Sequence, residues 1–356
     1  MSKITVSMDQ LSRIAKRLFL AMGYNDKDAS YAADVLVGTD RRGVDTHGIA
    51  RMGLYYSSTA RGEINTNASL RILRDDPPYL MVDADNGLGI IMAPQAVELA
   101  IRRAGEKGAC IMGVQNSNHF GAAGYYAAKC VNEGFITIVS SNSPPTAAPF
   151  GGKDRILGNS PWSMAIPGGN RRPDPIMFDM ACSEVSRGKC ETALREGKQI
   201  PLGWGLDQNG EPSADPAEVL KGSLLPFGGI KGYCITVLVE AFSSILTFAS
   251  FGNGINMDES RNNTSHFILL LDPSKFGDLV SYRDGVDVYA ENIKNSPLAP
   301  DAEEIIIPGE LEARAVKHRT MYGEELDEAV AGSLADIAVK CGLLTKGQGF
   351  ADMLAW

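Results

Sequence analysis

The sequence predicts an α/β protein in which a strand-rich middle is flanked by helical chain ends. Three observations carry that reading. Short apolar runs at 79–82, 111–114, 135–139, 176–180 and 266–271 all fall in the middle of the chain. Helix-spaced apolar residues dominate the first 75 positions and return at 289–295, 311–319 and 328–341. At 356 residues the chain is long enough for two structural units. The simplest arrangement is a helical unit from residues 1–76 and 296–356, packed on an α/β unit of residues 77–295.

The elements follow in order. Leu11, Ile14, Ala15, Leu18, Phe19 and Met22 mark a first helix, which Gly23 stops. Residues 26–30 cap a second helix that runs through Val37. After Pro77-Pro78 the texture changes to strands, which flank a helix at 92–107 closed by Gly108. A helix at 124–133 precedes the strand 135–139. Residues 140–169 are rich in Ser, Asn, Pro and Gly and carry no period. Such a stretch in a compact protein is usually functional or disordered, and Phe150, Ile156, Leu157, Trp162, Met164 and Ile166 argue against disorder. A helix at 183–196 follows the strand 176–180, and 233–247 reads as a strongly amphipathic helix.

Composition narrows the function. Hydrophobic residues at 44% and charged residues at 22% describe a globular protein with material for a core. A net charge of -9 argues against a nucleic-acid partner, whose phosphates need a basic face. No run is apolar enough to span a membrane, and the N-terminus shows no export pattern. The six cysteines form no Cys-x-x-Cys pair, as expected of free thiols in the cytoplasm. The four histidines are far apart in sequence and give no metal-ligand spacing, so no metal is expected.

Residues 41–51, Arg-Arg-Gly-Val-Asp-Thr-His-Gly-Ile-Ala-Arg, hold the densest chemistry. Asp45 or Thr46 would cap a helix from Gly48, placing His47 and Arg51 one turn apart on one face. A proton donor beside a guanidinium that grips a carboxylate suits a 2-oxo or 2-hydroxy acid. The spacing alone also fits a solvated His and Arg. His119 lies in Asn-Ser-Asn-His-Phe-Gly-Ala-Ala-Gly (116–124), between a strand and a helix. Such a loop offers backbone N–H groups to an anion such as a pyrophosphate, and Gly121 and Gly124 permit close approach. A capped turn with an incidental His fits equally. No Gly-x-Gly-x-x-Gly, phosphate loop or nucleophile elbow is present, so a nicotinamide cofactor would bind on a fold other than Rossmann. Three more segments look built around a ligand: 178–183, the lysine among glycines at 226–233, and 307–310 before Arg314.

In order and spacing, these segments resemble the type 2 malate/L-lactate dehydrogenase family. The carrying segments are Arg-Gly-Val-Asp-Thr-His-Gly (42–48) with Arg51, Asn-His-Phe-Gly-Ala-Ala-Gly (118–124) and Asp-Met-Ala (179–181) followed by Arg-Gly-Lys (187–189). With them come Gly-Trp (203–204) and Asp207, Gly-Ile-Lys-Gly (229–232), and Pro-Gly-Glu (308–310) with Arg314. The resemblance implies NAD or NADP as cofactor, a homodimer with active sites near the subunit interface, and a small 2-hydroxy or 2-oxo acid as substrate. It implies a helical domain from both termini and a two-layer α/β domain with a mixed or antiparallel sheet.

Position by position, the resemblance implies His47 as proton donor, Thr46 as its support and Arg51 as the carboxylate clamp. His119 matches a cofactor segment, with Phe120, Gly121, Ala122 and Ala123, and is the acid/base in some relatives. Asp179, Met180, Ala181, Lys231, Gly232, Pro308, Gly309, Glu310 and Arg314 match further cofactor contacts. Where relatives often have Gly-Thr-Asn-Pro, this chain has Gly-Asn-Ser-Pro (158–161), so Asn159 stands where a substrate contact is expected. Malate, lactate, ureidoglycolate, sulfolactate and sugar-derived acids would all offer Arg51 the same carboxylate, and reduction of a cyclic imine or of a diketo sugar acid is a second reading in the same chemistry. A protein that binds a small acid without turnover is the alternative of another class.

Overall fold

The computed structural model describes residues 3–255 and 263–356. Its first elements are β1 (Lys3–Val6), α1 (Met8–Ala21), α2 (Asp26–Arg41), α3 (Met52–Ala60), β2 (Arg71–Asp76) and β3 (Tyr79–Asp83). Next come α4 (Gly89–Lys107), β4 (Ala109–Ser117), α5 (Ala123–Asn132), β5 (Ile136–Ser141), β6 (Trp162–Ile166) and β7 (Ile176–Met180). These are followed by α6 (Arg187–Arg195), β8 (Gly205–Leu206), α7 (Pro216–Lys221), β9 (Ser223–Leu224), α8 (Ile230–Glu240) and β10 (Thr264–Leu271). The remainder is α9 (Leu279–Lys294), α10 (Glu310–Tyr322), β11 (Glu324–Asp327), α11 (Glu328–Lys340) and α12 (Phe350–Met353).

Local chemistry explains the helix starts. Ser7 and Gln10 form a reciprocal capping box at α1, whose Leu11, Ile14, Ala15 and Leu18 are buried beside Ala29, Ala32, Ala33 and Leu36 of α2. Asn25 rather than a residue of 26–30 caps α2, accepting from Asp28 N–H at 2.9 Å. Gly108, at φ 81°, closes α4 in the left-handed conformation that the sequence predicts.

The main sheet has seven strands in the order β2-β3-β4-β10-β5-β6-β7. All neighbours are antiparallel except β3 with β4, so the α/β fold with a mixed sheet is found as expected. Cys110, Met112 and Val114 of β4 enter the core shared with α4. Gly113, pointing the other way, lies against Thr247: a Cβ there would sit 3.0 Å from its methyl group.

Several expectations need correction. The first 76 residues are not all helical: β1 pairs with β11, tying the chain ends together, and β2 forms a sheet edge. The stretch 140–169 contains β6, whose alternation is legible only once Ser163 and Ala165 are seen to be buried. Helix α6 starts at Arg187 rather than 183, because Ser183 bridges to Pro226 and Glu184 N–H bonds to Leu225 in extended form. Helix α9 begins ten positions before the predicted 289, at Leu279, where Asp278 caps it. The expected amphipathic helix 233–247 is α8 followed by a π-turn at Ala241–Ile245, and its outward side is apolar, with Leu238, Phe242 and Ile245 exposed.

Candidate active site

The turn that carries His47 is not the single helix predicted from Gly48. Two 3₁₀ turns, Asp45–His47 and Ile49–Arg51, flank Gly48 at φ -88° and ψ -142°. Neither Asp45 nor Thr46 caps them. Arg319 of α10 draws the Asp45 carboxylate away at 2.5 Å, and Asp40 takes the Ile49 N–H at 2.8 Å. Thr46 Oγ1 instead lies 2.9 Å from His47 Nδ1.

This geometry still gathers the predicted residues. The imidazoles of His47 and His119 stack with centroids 5.9 Å apart and planes at 20°. Arg51 Nε donates to the Thr46 carbonyl at 2.6 Å, which folds the guanidinium back over the turn. Tyr55, one turn beyond Arg51 on α3, is fully buried and its hydroxyl lies 2.8 Å from His119 Nδ1. In each histidine Nδ1 is engaged, so Nε2 is the nitrogen left for a ligand.

Burial, and secondarily the Arg51 cation, lower the His47 pKa to about 4. Burial lowers His119 to about 3, helped by His47, Arg51 and His266. Both rings are therefore neutral near pH 7. Burial raises the Tyr55 phenol, which stays protonated.

A third histidine, which the sequence reading left without a role, braces the loop. His266 of β10 is buried, with Nδ1 2.9 Å from Ser141 Oγ and Nε2 2.9 Å from Ser117 Oγ. Its ring lies flat against Phe120 at 4.3 Å. Phe120, Ala122 and Ala123 are all buried, so these side chains pack the loop rather than line a surface.

The glycines of this loop serve the fold. Gly121 has φ +82°, and a Cβ there would meet Val35 at 3.3 Å and Ile90 at 3.5 Å. Backbone conformation and core packing therefore already require glycine here. A Cβ on Gly124 would lie 2.7 Å from Asp179, whose carboxyl accepts the Gly124 N–H at the start of α5. The anion at that helix N-terminus is therefore Asp179 itself. Burial pushes the Asp179 carboxyl up to about 6, against the opposing pull of Gly124 and Arg42.

The remaining predicted cofactor residues fall into two places. Met180 and Ala181 continue from Asp179, half-buried, at the end of β7. The Pro308 carbonyl accepts Met177 N–H at 3.1 Å, and a Cβ on Gly309 would meet Met177 at 2.8 Å, so 308–310 rests against β7. Glu310 pairs with Lys294 at 2.6 Å and is held down to about 2. Arg314 is gripped by both oxygens of Glu304 at 2.5 and 2.6 Å. Arg42 Nη2 lies 3.0 Å from Met177 sulfur, joining the His47 segment to the same edge.

Lys231 and Gly232 lie at the other place, the first turn of α8. Gly229, at φ 66°, is its N-cap and no side chain caps it; Lys231 is exposed. Beside it opens a cavity of about 660 Å³ bordered by Phe150, Glu184, Leu202, Trp204, Gly228 and Gly229. The hydrogen bonds of Asn159 run to Ser143 Oγ at 2.6 Å and Cys182 N–H at 2.7 Å, along the strip between the two places.

Sequence reasoning missed Tyr55, Asp40 and Arg319. Tyr55 had a signal, being one helical turn after Arg51; the other two act across the fold and had none.

No helix among the described residues is long and apolar enough to cross a membrane. The family model for malate/L-lactate dehydrogenase matches residues 6–335. The chain is 35% identical over 349 residues to a malate dehydrogenase of Pyrococcus abyssi, covering 96% of each chain. It is 36% identical over 323 residues to an L-sulfolactate dehydrogenase of Methanocaldococcus jannaschii, covering 90% of this chain and 92% of the other. The solved structure of sulfolactate dehydrogenase from that organism superimposes with a TM-score of 0.89 at 34% identity, covering 98% and 99% of the two chains. The chain belongs to the malate/L-lactate dehydrogenase family, and so to the dehydrogenases.

Proposed function

We propose that the protein catalyses reversible hydride transfer between NAD or NADP and C2 of a small 2-hydroxy or 2-oxo acid of the malate or lactate kind. The observation that carries this is the convergence of His47, Arg51 and His119 in one half-buried cluster, oriented by Thr46 and the buried Tyr55. When bound, the nicotinamide supplies the hydride acceptor or donor.

The residues here fit such a cofactor at the uncapped, glycine-rich start of α8. Its backbone N–H groups and Lys231 would hold phosphates, and the neighbouring cavity falls within the usual size of ligand pockets. Lys231→Ala should weaken NAD(P)H binding, read by fluorescence titration.

In the oxidative direction, neutral His47 takes the hydroxyl proton at Nε2 while Arg51 holds the adjacent carboxylate through its two Nη groups. In the reductive direction His47 must first gain a proton. The substrate carboxylate favours this by neutralising Arg51, the cation that lowers the His47 pKa. His119, its Nδ1 fixed by Tyr55, presents Nε2 to the same space as a second polar contact. Initial rates with a panel of 2-oxo acids and both reduced nucleotides test the assignment, and choose between NAD and NADP.

We also infer a homodimer. The outward side of α8 and the following turns exposes Leu238, Phe242, Ile245, Leu246, Phe248 and Phe251, with Phe248 88% and Ile245 60% accessible. A contiguous apolar patch of this kind suits a second copy of the chain. Light scattering on the wild type and Phe248→Glu tests it.

A further inference from the structure

Beneath the His47 turn, three carboxyl groups cluster beside one guanidinium, which pairs with two of them. Carboxylate oxygens of Asp40, Asp45 and Glu324 all lie within 4.8 Å of one another. Arg319 Nη1 sits 2.5 Å from Asp45 Oδ1 and 3.3 Å from Glu324 Oε1, and donates to the Asp40 carbonyl at 2.5 Å. Asp45 is solvated, whereas Asp40 and Glu324 are 0% and 3% exposed. Among the described residues, Asp40 Oδ1 and Glu324 Oε2 have no hydrogen-bond partner. Two buried carboxylates cannot share a single cation at this separation without a heavy electrostatic cost. A proton on one of the two removes that cost.

Asp40 is also the residue that shapes the turn. Its Oδ2 accepts the Ile49 N–H at 2.8 Å, and its Oδ1 rests on Gly48, where any Cβ would overlap it. It thus touches both residues that follow His47 and sets where the ring and Arg51 point. We propose that Asp40 is a positioning residue for the His47–Arg51 turn, and that it holds the turn while sharing a proton with Glu324. Loss of that proton places a second negative charge under the turn and loosens it.

The charged groups facing the pair are Arg319 from α10 and Asp45 from the turn itself. Lys3 on β1 acts more remotely, through Asp45. Burial first, and then Glu324, push Asp40 well above the usual carboxylate range. Burial pushes Glu324 up to about 7 against the pull of Arg319. Because the folded state prefers the neutral form, its stability is greatest below the ordinary carboxylate range and falls as pH rises through about 7.

Two measurements test this, and only the second rests on the proposed hydride-transfer reading. In the first, thermal midpoints of wild type, Asp40→Asn and Glu324→Gln are followed from about pH 5 to about pH 9. The wild-type midpoint should fall with rising pH, and each amide variant should flatten that fall. Parallel profiles for all three proteins overturn the shared proton. In the second, kcat and nucleotide affinity are compared for Asp40→Ala and Asp40→Asn. The alanine variant should lose about tenfold or more in kcat with nucleotide Kd within about twofold, and the asparagine variant should recover most of it while losing the wild-type alkaline decline. An alanine variant with normal kcat overturns the positioning role, as does an asparagine variant that keeps the alkaline decline. Should the wild type turn over no 2-oxo acid, the functional reading fails, while the thermal profiles still decide the proton and, if Asp40→Ala cannot fold, the two amide variants carry the test.

Discussion

The Tyr55 hydroxyl lies 2.8 Å from His119 Nδ1, a contact between residues 64 positions apart that orients a ring stacked on His47. When the buried phenol donates to Nδ1, the imidazole proton lies on Nε2, facing the site. Removing the hydroxyl leaves a buried ring nitrogen unpaired, which typically costs about 1–3 kcal/mol. Tyr55→Phe should therefore lower kcat by about tenfold to a hundredfold, with nucleotide affinity unchanged. Steady-state kinetics beside a binding titration checks this, and an unchanged kcat would make the contact purely structural.

Arg51→Lys should raise KM for the acid strongly while sparing an uncharged ketone analogue. Arg51 Nε is already spent on the Thr46 carbonyl, so the two Nη groups make the bidentate grip that an ammonium cannot. Equal damage to both substrates would show that Arg51 only holds the turn.

Binding of an unreactive 2-oxo acid mimic such as oxamate should take up protons at about pH 6. His47 is held down to about 4 by burial and by Arg51, and a carboxylate paired with Arg51 removes the second cause. Its pKa then rises and the ring gains a proton. Calorimetry in two buffers of different ionisation enthalpy measures the uptake. Proton release, or none, would separate Arg51 from the ligand carboxylate.

Gly121→Ala should lower the thermal midpoint, because φ +82° is strained for any side chain and Val35 stands 3.3 Å from the new methyl group. A cost of about 1–3 kcal/mol is expected for such a backbone conformation. Unchanged stability would return this glycine to a ligand-contact role.

The parts of the fold written locally were the legible ones. The periodic run Leu11 to Met22 stopped by Gly23, and Gly108 after another such run, place α1 and the end of α4 without any tertiary knowledge. The short strands β1 and β11 were not legible, because four-residue strands acquire meaning only by pairing across the whole chain. The same holds in the site. His47, Arg51 and His119 stand out by residue type and spacing, but the break at Gly48 is imposed by Asp40 and Arg319 from other elements. The π-turn after α8 defeated the amphipathic reading because its apolar outward side looks, in sequence, like a core side.

In the proposed reaction His47 exchanges a proton with the substrate oxygen during hydride transfer. Its most direct test is the initial rate of reduced-nucleotide oxidation with oxaloacetate or pyruvate, in wild type and His47→Ala. Acid-dependent oxidation by the wild type is expected, with a loss of at least about a hundredfold in the variant and nucleotide affinity nearly unchanged. A variant that keeps near-normal turnover would contradict it and hand the proton to His119.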